Sequence, residues 1–170
     1  MTTQEMVIIV DRFNKEIGTR SRQEMRAGNL IHRASFILVF NDGGELFVQQ
    51  RTMSKDIYPG RWEIAAGGVV AAGETVSQSA ARELREELGI VVELRFLLEM
   101  YFEDPSNRVF CHIFQANHNG PFILQPEEVV RGEFMKLSEI TTRLEVANLT
   151  PDSLPILAYL IENEQSLGRI

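Results

Sequence analysis

Residues 67–90, GGVVAAGETVSQSAARELREELGI, constrain this chain more than any other segment. They set a glycine-rich turn directly before a helix, and Gly68 is expected in a tight turn where a side chain is poorly tolerated. The helix is specified by its own residues. Thr75, with Gln78 three positions on, makes a capping box in which each side chain satisfies a free amide of the first turn. Val76, Ala80, Leu84 and Leu88 recur every fourth residue and form a narrow apolar stripe. Gly89 follows the last turn, where a left-handed residue commonly ends a helix. Opposite the stripe stand Glu83, Glu86 and Glu87. Residues three and four apart lie one above the other, so these carboxylates share one face, expected to point to solvent. Like charges so placed repel, and Lys or Gln at one position would stabilise the helix by about 0.2–0.5 kcal/mol. A divalent cation between them removes that penalty, because hard cations such as Mg²⁺ take oxygen ligands from a few carboxylates together with substrate phosphates. A helix written ARELREELG also reads as a solvated charged face. What favours the cation is the combination: two glycines, Glu74 and the Arg-Glu-x-x-Glu-Glu group are fixed together. Arg82 precedes Glu86 by four residues and is placed to reach Glu74 as well, holding the loop against the helix.

Read from Gly68, the segment is G-x5-E-x7-R-E-L-x-E-E-x-G-I, which resembles a complete signature box of the Nudix hydrolases. The resemblance implies metal positions at Glu83, Glu86 and Glu87, a backbone carbonyl lent by Gly67, and Mg²⁺, with Mn²⁺ as substitute, as cofactor. It implies structural roles for Glu74 and Arg82, and places Gly68 and Gly89 as the fixed glycines of the motif. Some family members carry a further glutamate in a late loop that completes the metal shell or activates water; QPEEVVRGEF offers Glu128, with Glu127 beside it. An acidic solvated loop is the competing reading for both.

Length and charge agree with a single enzyme domain. At 170 residues the chain has room for a substantial core. A net charge of −7 argues against binding nucleic-acid polymers, which rests on basic surface. It leaves small phosphorylated substrates open. The single Cys111 excludes an intrachain disulfide and fits a reducing compartment; within VFCHIFQA it reads as a buried thiol. The start MTTQEMVIIVD has no basic region and only a short apolar run, so neither a signal peptide nor a membrane span is expected. The expected location is cytoplasmic.

Elsewhere the pattern alternates between strand and helix. Residues 7–10 read as a strand, DRFNKEIGTRSR as a turn into a second strand, and residues 22–27 as a short helix. The apolar strand 35–40 turns at Asn41-Asp42-Gly43-Gly44 into residues 45–51, where alternation predicts one face more buried than the other. TMSKDIYPGRW is a loop. Strands follow near 94–102, 108–116 and 132–135, then helices at 137–142 and 154–164. This order resembles the Nudix α/β/α sandwich with a mixed sheet and the signature loop-helix, an α/β fold. The expected organisation is an N-terminal strand pair and short helix over 1–30, a catalytic domain over 31–163 and a tail over 164–170. The N-terminal strand pair also offers an edge for a homodimer.

Arg51 closes the second strand of the hairpin, where its planar fork suits a phosphate; an exposed strand-end arginine is the equal alternative. The run RWEIAAGG, residues 61–68, resembles the strand that leads many Nudix family members into their box, and within it Trp62 reads as a core anchor or as a base-stacking platform. The histidines read as structural residues. The stretch from VDRFNKEIGT to FVQQR, with His32 inside it, also resembles the start of isopentenyl-diphosphate isomerases, a branch of the same superfamily. Positions matching the isomerase cysteine and neighbouring histidine hold Ala66 and Gly68. Those matching its later glutamates hold Ser106 and Arg108. The isomerase acid is missing while the hydrolase box is intact. The resemblance therefore implies a cation-dependent hydrolase of a small diphosphate substrate, of the nucleoside-diphosphate-X type, with Glu83 or Glu128 removing the proton from water. An isomerase and a non-catalytic phosphate sensor are the alternatives.

Overall fold

Strand β3, His32–Phe40, is the spine of the molecule, and nearly every residue in it is buried. The computed structural model describes residues 4–167. Along its full length β3 pairs in parallel with β8, Asn107–Asn117, from His32 opposite Val109 to Phe40 opposite Asn117. On its other side it pairs antiparallel with β6, Ala66–Val69. The Asn41–Gly44 turn carries it into β4, Leu46–Arg51, which lies between β5, Trp62–Glu63, and β9, Val129–Met135. Strand β7, Arg95–Asp104, pairs among the described residues only with β8.

Helices cover both faces of this mixed sheet. Helix α2, Val76–Leu88, lays Ala80, Leu84 and Leu88 on Ile37, Val39, Phe47 and Phe114. The opposite face packs Leu38, Leu46, Val48 and Ile113 against Ile140 of helix α3, Leu137–Arg143, and Ile156, Leu157 and Leu160 of helix α4, Ser153–Glu162. Burying such a side chain contributes about 1.5–3 kcal/mol each, so the two layers fix the sheet between them. The one-sided burial expected for β4 is corrected here. Leu46 and Val48 enter one core and Phe47 the other, because a strand inside a sandwich meets a helix layer on each face.

The N-terminal residues form a hairpin of β1, Met6–Val10, and β2, Glu16–Ser21, followed by α1, Arg22–Ala27. Val7 and Ile9 pack on Met25 and Val69, while Ile8 and Val10 pack on Ile31, Val70 and Phe110. Residues Glu164–Leu167 form one short helix, α5; 168–170 of the expected tail lie outside the described residues.

Candidate active site

The expected glycine-rich turn at 67–68 is a strand instead. Gly67 and Gly68 pair with Phe36 and Ser35, and the chain turns only after Val70, through Gly73. The glycines are required by close approach. Gly67 has φ +148° and a side-chain carbon there would collide with the Ser35 carbonyl oxygen. At Gly68 that carbon would stand 2.5 Å from Glu83 Oε1. Helix α2 thus rests its acidic face directly on β6.

The caps of α2 deliver that face in register. Thr75 Oγ1 accepts from the Gln78 N–H, Gln78 Oε1 accepts from the Thr75 N–H, and Gly89 ends the helix at φ +69°. Arg82 gathers three carboxylates. Its Nε and Nη2 donate to the two oxygens of Glu74 at 2.7 and 3.0 Å, and Nη1 donates to Glu83 at 2.7 Å and Glu86 at 3.2 Å. Burial raises the Glu74 pKa, but hydrogen bonds from Arg82 and the Ala71 N–H outweigh it and hold the carboxyl below its usual value.

The three box glutamates do not share one environment, which corrects the expected solvent-facing row. Glu86 is exposed, Glu83 half-buried, and Glu87 only 2 % exposed. Glu87 Oε2 accepts from Gln49 Nε2 at 2.9 Å and from the Gly67 N–H at 3.3 Å. Burial pushes the Glu87 pKa well above the carboxylate range, helped by the charges of Glu63 and Glu83. Burial likewise raises Glu83, against Arg82. Among the described residues no three Asp, Glu, His or Cys side chains converge into a ready metal cage. The reason is geometric: Arg82 stands between Glu83 and Glu86, and Glu87 turns inward to Gln49. The donor set nonetheless suits a hard divalent cation. It is all oxygen, and it concentrates carboxylates where low dielectric makes their mutual repulsion costly.

Beyond Gly67 and Gly68, on which this acidic wall rests, lies a basic one. Gly67 and Gly68 line a narrow cleft of about 50 Å³ together with Arg22 and Arg26 of α1, Arg51 of β4 and Lys55. A larger hollow of about 570 Å³ lies elsewhere, between the Asn41–Gly44 turn and α5. The smaller cleft is the stronger candidate because its arginines meet Glu63 and the buried Asp152 there, and because Gly67 and Gly68 in its wall are the residues that Glu87 and Glu83 touch. Arg51 is 8 % exposed, not the exposed strand end considered above. Its fork is engaged: Nη1 donates to Glu63 Oε2 at 2.6 Å, and Nη2 donates to the Ile57 carbonyl at 3.0 Å. Glu128 pairs with Lys55. Asp56 receives Arg22 Nε at 2.8 Å and Arg26 Nε at 3.0 Å. Burial raises the Asp56 pKa, but the two arginines outweigh it and hold the carboxyl far below its usual range.

The remaining singled-out residues take structural places. Trp62 is buried in the core beneath Arg131, whose guanidinium lies 5.2 Å from the ring centroid. Cys111 is buried and burial raises its pKa, so it is no ready nucleophile. His32 is buried with Nδ1 3.0 Å from the Leu30 carbonyl, and burial lowers its pKa to about 4. His112 meets Glu99 at 2.9 Å. Where the isomerase pattern requires acids, the Ser106 N–H donates to Asp104 and Arg108 pairs with Glu103.

Sequence reasoning missed Gln49, Lys55, Glu63 and the α1 arginines. Glu63 adjoins Trp62 in RWEIAAGG, and that adjacency to the box was the one available signal. Gln49 looked like the polar phase of an alternating strand.

With this geometry in view, comparison with known proteins is informative. The NUDIX domain family model matches residues 30–160. An uncharacterized Nudix hydrolase of Pseudomonas aeruginosa is 42% identical over 159 residues, 93% of this chain and 94% of its own length. The uncharacterized Nudix hydrolase YfcD of Escherichia coli K12 is 43% identical, over 93% of this chain and 87% of its own. Among solved structures, DR0079 of Deinococcus radiodurans superposes with TM-score 0.79 at 21% identity, over 91% of this chain and 98% of that one. The NUDIX domain of Shewanella oneidensis NrtR, solved with ADP-ribose, has TM-score 0.64 at 16% identity, over 85% and 99%. Both relatives match over 93% of this chain, and the family model over most of it: this chain belongs to the Nudix hydrolase family.

Proposed function

We propose that the protein hydrolyses a diphosphate linkage in a nucleoside-diphosphate-X type substrate, with Mg²⁺ or Mn²⁺ held by Glu83, Glu86, Glu87 and the Gly67 carbonyl. The observation that carries this reading is the contact between α2 and β6. Glu83 packs on Gly68, where a side chain would displace its carboxylate, and Glu87 accepts from the N–H of Gly67, which the Ser35 carbonyl and a φ of +148° keep a glycine. A packed helix has no need of buried like charges there; a cation site does. When bound, the cation neutralises diphosphate oxygens and makes water more acidic.

The chain's own groups supply the rest. Glu83 or Glu128 takes the proton of the attacking water as its oxygen bonds to phosphorus. The bond from that phosphorus to the bridging oxygen breaks, leaving two phosphate products. Glu83 rests on the glycines, and Glu128 is held at the cleft mouth by Lys55. Lys55 and Arg51 present positive charge to the substrate's phosphates, Arg51 in exchange with Glu63. The cleft takes a small phosphorylated molecule rather than a polymer, and a cytoplasmic setting fits the single buried thiol.

The test is a screen of the purified protein with Mg²⁺ and with Mn²⁺. Substrates would include ADP-ribose, nucleoside-diphosphate sugars, dinucleotides, nucleoside triphosphates and prenyl diphosphates. Cation-dependent release of phosphate products from one of them is expected. Binding without turnover would point to a sensor. Double-bond migration in isopentenyl diphosphate without phosphate release would point to an isomerase, a reading that Ala66 and Gly68 oppose.

A further inference from the structure

Gln49 sits on the α2 side of interior strand β4, the side that also carries Phe47, and is 1 % exposed. Packing alone would place an apolar residue there. Instead its Nε2 donates to Glu63 Oε1 at 3.0 Å and to Glu87 Oε2 at 2.9 Å. Its Oε1 is buried with no partner among the described residues. A buried acceptor without a partner costs free energy, so its retention needs a reason. Turning the amide over would set its oxygen against the Glu63 carboxylate, which disfavours that orientation. Both N–H groups are in use, and the orphaned oxygen is the consequence.

A continuous line of polar contacts results. Arg51 donates to Glu63 at 2.6 Å, Gln49 joins Glu63 to Glu87, and Glu87 accepts from the Gly67 N–H. This line crosses from the basic wall to the acidic one.

We propose that Gln49 is a positioning residue, whose amide ties the carboxylates of Glu63 and Glu87 together and sets the direction in which Glu87 meets the cation. The inference rests on the reading of Glu87 as a cation ligand. Groups that hold a ligating side chain by hydrogen bonds typically alter metal affinity by about 10- to 100-fold when removed.

The experiment measures Mn²⁺ binding to the full chain, from the free-Mn²⁺ paramagnetic resonance signal, for wild type, Gln49→Leu and Glu87→Gln. Gln49→Leu should weaken binding by about 10- to 100-fold. Gln49→Met, as long and flexible as glutamine, serves in its place if the leucine variant does not fold. Unchanged Mn²⁺ affinity in a folded Gln49 variant, even with a shifted melting temperature, would mean a packing role and overturn the inference. Glu87→Gln keeps the two failures apart. If it loses Mn²⁺ binding while the Gln49 variant does not, only the role of Gln49 falls. If Glu87→Gln itself binds Mn²⁺ as wild type does, the cation reading falls first.

Discussion

The acidic wall behind Gly67 and Gly68 comes from one short stretch of chain, whereas the basic wall of the cleft is assembled from two distant ones. Glu74, Arg82, Glu83, Glu86 and Glu87 are locked by helix spacing, a capping box and two close-packed glycines. Arg22 and Arg26 come from α1, Arg51 from β4, and Lys55 and Asp56 from the loop between β4 and β5. Ion pairs and hydrogen bonds hold that wall: Asp56 to the two α1 arginines, Glu63 to Arg51, Glu128 to Lys55. Local spacing gives a fixed constellation of like charges; long-range pairing gives an adjustable one of opposite charge. The first arrangement suits a bound cation, and the second can exchange carboxylates for phosphates.

The largest effect should come from breaking the acidic wall. Glu87→Gln or Glu86→Gln should cut turnover by orders of magnitude without loss of fold. Glu87→Gln should melt no lower than wild type, since burial already disfavours the charged form of this side chain. Retention of wild-type activity with Mg²⁺ by either variant would refute the assignment.

Removing the N-terminal part of the basic wall should cost stability first. Deleting residues 1–30 strips β1, whose buried Val7, Ile8, Ile9 and Val10 cover Val69, Val70 and Phe110. At about 1.5–3 kcal/mol per buried side chain, the loss amounts to several kcal/mol and exposes apolar surface. Melting temperature and solubility should both fall. A truncated form with unchanged melting and kinetics would show that the hairpin and α1 contribute nothing to the cleft.

A smaller effect separates the walls by pH. Asp152 lines the cleft beside Arg51, and burial raises its pKa to about 6 against the hydrogen bond from Thr150. The folded value lies above the 3.8 of an ordinary aspartate, so the native state holds this proton more tightly. The stability it contributes is complete below the lower value and lost as pH rises through the upper one. Asp152→Asn should therefore gain about 1–3 kcal/mol over wild type at pH 8 and little at acid pH. His32, with a folded pKa near 4, pulls the other way in both proteins, so the difference between their melting curves isolates Asp152. A constant difference across pH would show that Asp152 does not titrate in this window.

What the sequence revealed follows the same division. Helix α2 with both its caps and the Glu-Arg-Glu grouping were readable, because periods of three and four are properties of neighbouring residues. The α/β/α order was readable from element succession and resemblance. The strand character of Gly67 and Gly68 was not readable from local spacing, only from the resemblance of RWEIAAGG, since their constraint comes from Ser35 and Glu83. Nor was the inward turn of Glu87, which depends on Gln49 of a distant strand. The α1 arginines were invisible as site residues because nothing in their local spacing refers to the box.

The parallel pairing of β3 with β8 has a consequence for how the chain is made. During synthesis β3 emerges early and gains β6 as a neighbour soon after, but β8 follows only once the signature helix and β7 have left the ribosome. Until then this central, largely buried strand shows an open edge, a template for any other extended chain. A polypeptide cut short between α2 and β8 would carry the whole acidic motif, yet it would aggregate before it had an opportunity to bind a cation.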